Sequence, residues 1–72
     1  MSRETLKQAR KDKKMTQPAM ADYLNIALRY YQKIEAGEST GAVILWDMME
    51  DLFNVHQRKL REIQPARVDN QS

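Results

Sequence analysis

The chain has 72 residues, and a protein this short buries only a modest share of its surface, so one domain around one core is expected, with no room for a second. It has no cysteine, which excludes a disulfide framework and a thiolate metal site and fits a reducing cytoplasm. The longest apolar run, the five residues 42–46, is too short for a signal-peptide core or a membrane span, so a soluble protein is expected. The net charge is only +2, but it is unevenly spread. Residues 1–33 carry eight bases (Arg3, Lys7, Arg10, Lys11, Lys13, Lys14, Arg29, Lys33) against Glu4, Asp12 and Asp22. Residues 34–55 carry five acids (Glu35, Glu38, Asp47, Glu50, Asp51) and no base. One half of the domain is thus suited to face phosphates and the other to avoid them, although lysines along a helix also make an ordinary solvated face.

Two glycines, two prolines and no β-branched alternation point to helices joined by tight turns. The first helix is expected over 3–13, with Ser2 as its cap and Glu4 at its positive end. The second runs over 17–24, capped by Thr16, with Pro18 in the first turn, where no helical N–H bond is lost. Met20, Ala21 and Leu24 face inward from it. A three-residue link, Asn25-Ile26-Ala27, follows, in which Asn25 can turn the chain by adopting a left-handed conformation. The third helix covers 28–36 and stops at Gly37, turning Tyr31 and Ile34 inward and Leu28, Arg29, Gln32 and Lys33 outward. After a polar loop come a fourth helix over 42–53 and a fifth over 57–63, which ends before Pro65. Residues 64–72 read as a flexible polar tail.

Two short helices joined by a three-residue turn are the arrangement in which one helix crosses the DNA backbone and the next enters the major groove. Thr16-Gln17, Met20-Ala21, Leu24-Asn25-Ile26, Tyr31 and Ile34-Glu35-Ala36-Gly37 resemble the helix-turn-helix of the lambda repressor and Cro-like family of bacterial and phage regulators, over about residues 6–60. The resemblance implies an all-α, five-helix DNA-binding domain over residues 1–63, in the cytoplasm of a bacterium or phage-infected host and associated with the nucleoid. It implies that Gln17 touches a phosphate and buttresses the recognition helix, that Ala21 allows the two helices to cross closely, and that Arg10 and Glu35 form an internal ion pair. It sets the recognition positions at Ala27, Leu28, Arg29, Gln32 and Lys33.

The side chains at these positions suit base reading. Arg29 can bond bidentately to guanine and Leu28 can pack on a thymine methyl. Lys33 reaches guanine or a phosphate, and Gln32 the groove edge. Lys13, Lys14, Tyr30, Ser39 and Thr40 are placed for phosphate, as is Gln17. The chain departs from the family in three ways. Ala27 stands where a capping Ser or Thr is usual, Tyr31 occupies a usually aliphatic position and is expected in the core, and the loop after Gly37 lacks basic residues.

The fourth helix has two apolar lines, Trp46-Met49-Phe53 and Leu45-Met48-Leu52. The first is taken as core, which leaves Ile44, Leu45 and Met48, with Leu60 and Ile63 of the fifth helix, as a dimer or partner surface. The alternative is that a wide face covers a small core. His56 has no second histidine or cysteine to make a metal site, and no nucleophile with its base and no phosphate loop is present, so no metal, cofactor or catalysis is expected. Two functions fit. One is a homodimeric regulator of double-stranded DNA on a palindromic operator, and the alternative is a protein-interaction module, such as an antitoxin or an assembly factor, using the fourth helix.

Overall fold

A computed structural model describes residues 2–63, and among them the elements are five helices: α1 (Glu4–Asp12), α2 (Gln17–Leu24), α3 (Leu28–Glu35), α4 (Val43–Phe53) and α5 (Gln57–Arg61). The expected tail, 64–72, lies outside the described residues. The all-helical five-helix architecture expected from the sequence is the one observed. The α2–α3 pair packs together, α1 lies against α3 and α5, and α5 closes on α4.

Capping chemistry places both ends of α2 and the end of α4. Thr16 Oγ1 accepts the Ala19 N–H at 3.2 Å and Pro18 sits in the first turn, so α2 starts without losing an internal bond. Asn25 ends α2 at φ 58°, and the Ile26 N–H returns to the Ala21 carbonyl at 2.9 Å. Asn54 ends α4 in the same left-handed way, at φ 56°. Ser2 is not the cap of α1. The cap position is Arg3, whose side chain is drawn into the core, and the Ser2 hydroxyl donates instead to the Glu4 carboxylate.

The α1–α2 turn holds Lys14 at φ 58°, a conformation that costs a lysine roughly 1–2 kcal/mol. Three hydrogen bonds hold it there: Lys14 N–H to the Lys11 carbonyl (2.8 Å), Met15 N–H to the Arg10 carbonyl (3.1 Å) and Arg10 Nη1 to the Met15 carbonyl (2.8 Å). In the α3–α4 loop Gly41 has φ 79°, and a Cβ there would lie 3.1 Å from Ile34 Cδ1, so both conformation and space call for glycine.

The core is built from Leu6 of α1, Met20, Ala21 and Leu24 of α2, Tyr31 and Ile34 of α3, Leu45, Trp46, Met49 and Phe53 of α4, and Leu60 of α5. Two residues expected on the partner surface belong to it: Leu45 is 5% exposed and Leu60 is 0% exposed. Leu45 precedes Met49 by four residues, so it follows Met49 inward, and the buried arc of α4 is wide enough to take in a member of both apolar lines. Leu60 is the one buried residue of the short α5 and fills the gap between α1 and α4. Ile44 remains outside at 61% exposure, beside Val43 at 70%, while Met48 is half-buried and Ile63 exposed.

Candidate nucleic-acid interface

The turn Asn25-Ile26-Ala27 sets α3 on α2 so that Tyr31, Ile34 and Glu35 point inward and Leu28, Arg29, Gln32 and Lys33 share the outward, exposed side. Ala21, 4% exposed, provides the small side chain at the base of this pair. Ala27 makes no side-chain cap, as its methyl requires.

Behind the outward side lies a buried polar hub centred on Glu35. Its Oε2 accepts Arg10 Nε at 2.8 Å and the Tyr31 hydroxyl at 2.6 Å. Its Oε1 accepts Gln17 Nε2 at 2.8 Å and, more distantly, Arg10 Nη2 at 3.4 Å. Gln17 Oε1 in turn accepts Gln32 Nε2 at 3.3 Å. Burial by itself would push the Glu35 carboxyl up, but the hydrogen bonds from Arg10, Tyr31 and Gln17 outweigh it and hold the group below the usual range. The Tyr31 phenol moves the other way, raised first by burial and then by its bond to Glu35, so it stays a neutral donor. The Arg10 guanidinium is raised by its bond to Glu35, against the opposing effect of burial. Arg10, Glu35, Gln17 and Tyr31, singled out in separate stretches of sequence, thus meet in one cluster that ties α1, α2 and α3 together.

The remaining expected phosphate positions are spread out. Lys13 and Lys14 are exposed in the α1–α2 turn, where Lys13 borders a small cavity with Ala9, Asp12, Phe53 and Val55 on the α4 side of α1. Tyr30 is half-buried against the core. In the α3–α4 loop the Ser39 N–H donates to the Lys33 carbonyl at 3.2 Å, and the Thr40 carbonyl accepts Trp46 Nε1 at 2.8 Å.

Sequence reasoning missed Arg3, which it counted among the phosphate-facing bases. The residue is 4% exposed. Its Nε donates to the Arg61 carbonyl at 2.9 Å, and its Nη1 to the carbonyls of Ile34 at 2.5 Å and Ser39 at 2.8 Å. Its backbone N–H donates to the Glu35 carbonyl at 2.9 Å, so the residue satisfies the carbonyls left open at the end of α3. The guanidinium lies 5.2 Å from the centroid of the Trp46 ring, and that of Arg61 lies 5.9 Å from it. The available signal was the lone tryptophan, whose large π face attracts a cation, but the sequence offers twelve Lys and Arg as candidates for that place.

Among the described residues no group of three or more His, Cys, Asp or Glu is placed to hold a metal ion, and no helix is long and apolar enough to cross a membrane. No curated protein and no solved structure matches the chain. A helix-turn-helix family model matches residues 6–56, from within α1 to the residue before α5, including the whole α2–turn–α3 unit. That match covers more than half of the 72 residues and agrees with the geometry above, so the chain belongs to the lambda repressor and Cro-like helix-turn-helix family of DNA-binding regulators.

Proposed function

We propose that this protein is a sequence-specific transcriptional regulator that lays α3 in the major groove of duplex DNA and binds a two-fold operator as a homodimer. The observation that carries this reading is the outward side of α3, where Leu28, Arg29, Gln32 and Lys33 are exposed together on a helix held from behind by the Glu35 hub. Arg29 reads guanine bidentately, Leu28 packs on a thymine methyl, Gln32 meets a base edge and Lys33 serves guanine or a phosphate. Lys13, Lys14, Gln17, Tyr30, Ser39 and Thr40 fix the register on the backbone. Gln17 Nε2 carries two hydrogens, so the one not given to Glu35 is available for a phosphate oxygen. Dimerisation uses what is left of the expected partner surface, Ile44, Met48 and Ile63, and sets the two α3 helices about 34 Å apart.

Footprinting on the DNA upstream of its own coding region tests the reading, with protection of a palindrome and affinity that falls steeply with salt as the expected result. Arg29→Ala should cost about 1–3 kcal/mol at one operator position and leave the fold intact. No protected site, or affinity indifferent to salt, overturns it.

A second reading, a protein-interaction module, draws on Val43 and Ile44, which are exposed on α4 beside Asp47 and Asp51. An Ile44→Asp, Met48→Asp double variant separates the two: loss of dimer and operator binding together favours the regulator, while loss of a protein partner with DNA binding intact favours the module.

A further inference from the structure

Arg3 has more donors than its surroundings use. Its Nε and Nη1 bond to the carbonyls of Arg61, Ile34 and Ser39, whereas Nη2, with two N–H groups, has no hydrogen-bond partner among the described residues, although the side chain is nearly sealed from solvent. A buried cation with open donors is costly, and such a group is commonly met by an ion or a ligand. No carboxylate answers it: among the described residues the ion pairs are Lys7 with Glu4 and Arg10 with Glu35, so Arg3, Arg58 and Arg61 stand outside them. Arg61 is drawn to the same Trp46 ring as Arg3, and two like charges are thereby gathered in one place.

Beside this pair opens a cleft of about 610 Å³, within the range of small-molecule sites, lined by Arg3, His56, Gln57, Arg58, Arg61 and Glu62. Its chemistry is that of donors. Three guanidiniums stand against one carboxylate. His56 Nδ1 accepts the Arg58 N–H at 3.0 Å, so the hydrogen of the neutral ring sits on Nε2. Asp47 and Glu50 of α4 accept Gln57 Nε2 at 2.8 and 2.9 Å, and neither pairs with an arginine of the cleft. We propose that this cleft binds a small phosphomonoester, whose phosphate group is held by Arg3, Arg58 and Arg61. A guanidinium meets a phosphate with two parallel N–H bonds. Near neutral pH a phosphomonoester carries close to two negative charges, where a carboxylate or a DNA phosphodiester carries one, so the excess of cations favours it. None of the cleft residues belongs to the proposed DNA-contact set. Because Arg3 also bonds to the Ile34 and Ser39 carbonyls, the phosphate and the end of α3 share one side chain.

The test is calorimetric titration of the full chain with glycerol 3-phosphate and with inorganic phosphate, against chloride at equal ionic strength, with the thermal midpoint followed for every variant. Both phosphates should saturate a single site per chain. Arg58→Gln and Arg61→Gln, at exposed positions, should each weaken binding roughly ten-fold or more. The Arg61 carbonyl that receives Arg3 belongs to the main chain and survives the substitution. Lys59→Gln removes the same charge from α5 outside the cleft and should leave the affinity close to that of wild type. Failure of both phosphates to saturate at millimolar concentration, or affinities in the folded arginine variants equal to that of Lys59→Gln, overturns the proposal. Saturation by inorganic phosphate alone overturns the assignment to an ester. A random-sequence duplex titrated in parallel separates the source of the phosphate: if the arginine variants weaken duplex binding as much as they weaken glycerol 3-phosphate binding, the cleft seats the DNA backbone and the small-molecule proposal falls.

Discussion

Arg10 and Arg3 are both buried and both hold α3, yet they solve the problem of a buried cation differently. Arg10 meets a charge, with Glu35 2.8 Å away in a pair whose side chains are 10% and 3% exposed. Arg3 is held by backbone dipoles, the carbonyls of Arg61, Ile34 and Ser39, and by the face of Trp46. The Arg3 guanidinium is lowered first by burial and then by the nearby Arg61, but an arginine starts high enough to remain protonated. The first arrangement contains a titratable partner and is linked by Gln17 to the exposed side of α3; the second is bound by groups that do not titrate and reaches no predicted DNA contact apart from the Ser39 backbone. One arginine therefore couples the fold to the proposed recognition side of α3 and to pH, while the other sets the architecture.

The sharpest way to break this contrast is to remove the charge that Arg10 meets. Glu35→Ala leaves an uncompensated buried guanidinium and should cost about 3–5 kcal/mol, measured by urea denaturation. A loss of less than ~1 kcal/mol would place the pair among ordinary surface bridges. Acid does the same reversibly. The folded-state Glu35 carboxyl lies below its unfolded value, so its contribution is complete above the usual carboxylate range and is lost as pH falls through the lowered value. The stability gap between wild type and Glu35→Gln should accordingly narrow on acidification.

Arg3→Lys keeps the charge but loses the planar fork that reaches three carbonyls, and should cost about 1.5–3 kcal/mol. Its acid profile should run parallel to that of wild type, because no carbonyl protonates in that range; a pH-dependent gap would erase the distinction between the two arginines. The smallest effect is expected from Tyr31→Phe, which removes one hydroxyl from the hub and should cost about 0.5–1.5 kcal/mol in thermal or urea melts.

The parts legible in the sequence were those set by local chemistry. Thr16, Pro18, Asn25 and Gly37 mark helix boundaries through bonds made within a few residues, and α2 begins and ends where they place it. The outward set on α3 follows from helical periodicity alone. Less legible were features decided between distant elements. Leu45 goes inward because the buried arc of α4, from Leu45 through Met49 and Phe53 to Trp46, spans about 100°, as the wide-face alternative had it, and helical periodicity alone does not choose between that arc and a single apolar line. Leu60, expected on the partner surface, goes inward instead because the short α5 packs against both α1 and α4. Arg3 was read as one more base in a basic segment, because the carbonyls and the ring that receive it lie between 31 and 58 residues further along the chain.

Trp46 also gives the molecule an internal reporter. It is the only tryptophan, it is 1% exposed, and its indole N–H is tied to the Thr40 carbonyl. Its emission should be blue in the native state and shift to the red only when α4 parts from Arg3 and the α3–α4 loop, so a single optical signal follows global unfolding without any label. Because the ring is sealed from the outward side of α3, an emission shift on adding duplex DNA would report a rearrangement of the interior rather than contact at the surface, and a steady emission alongside tight binding would mark recognition by a rigid body.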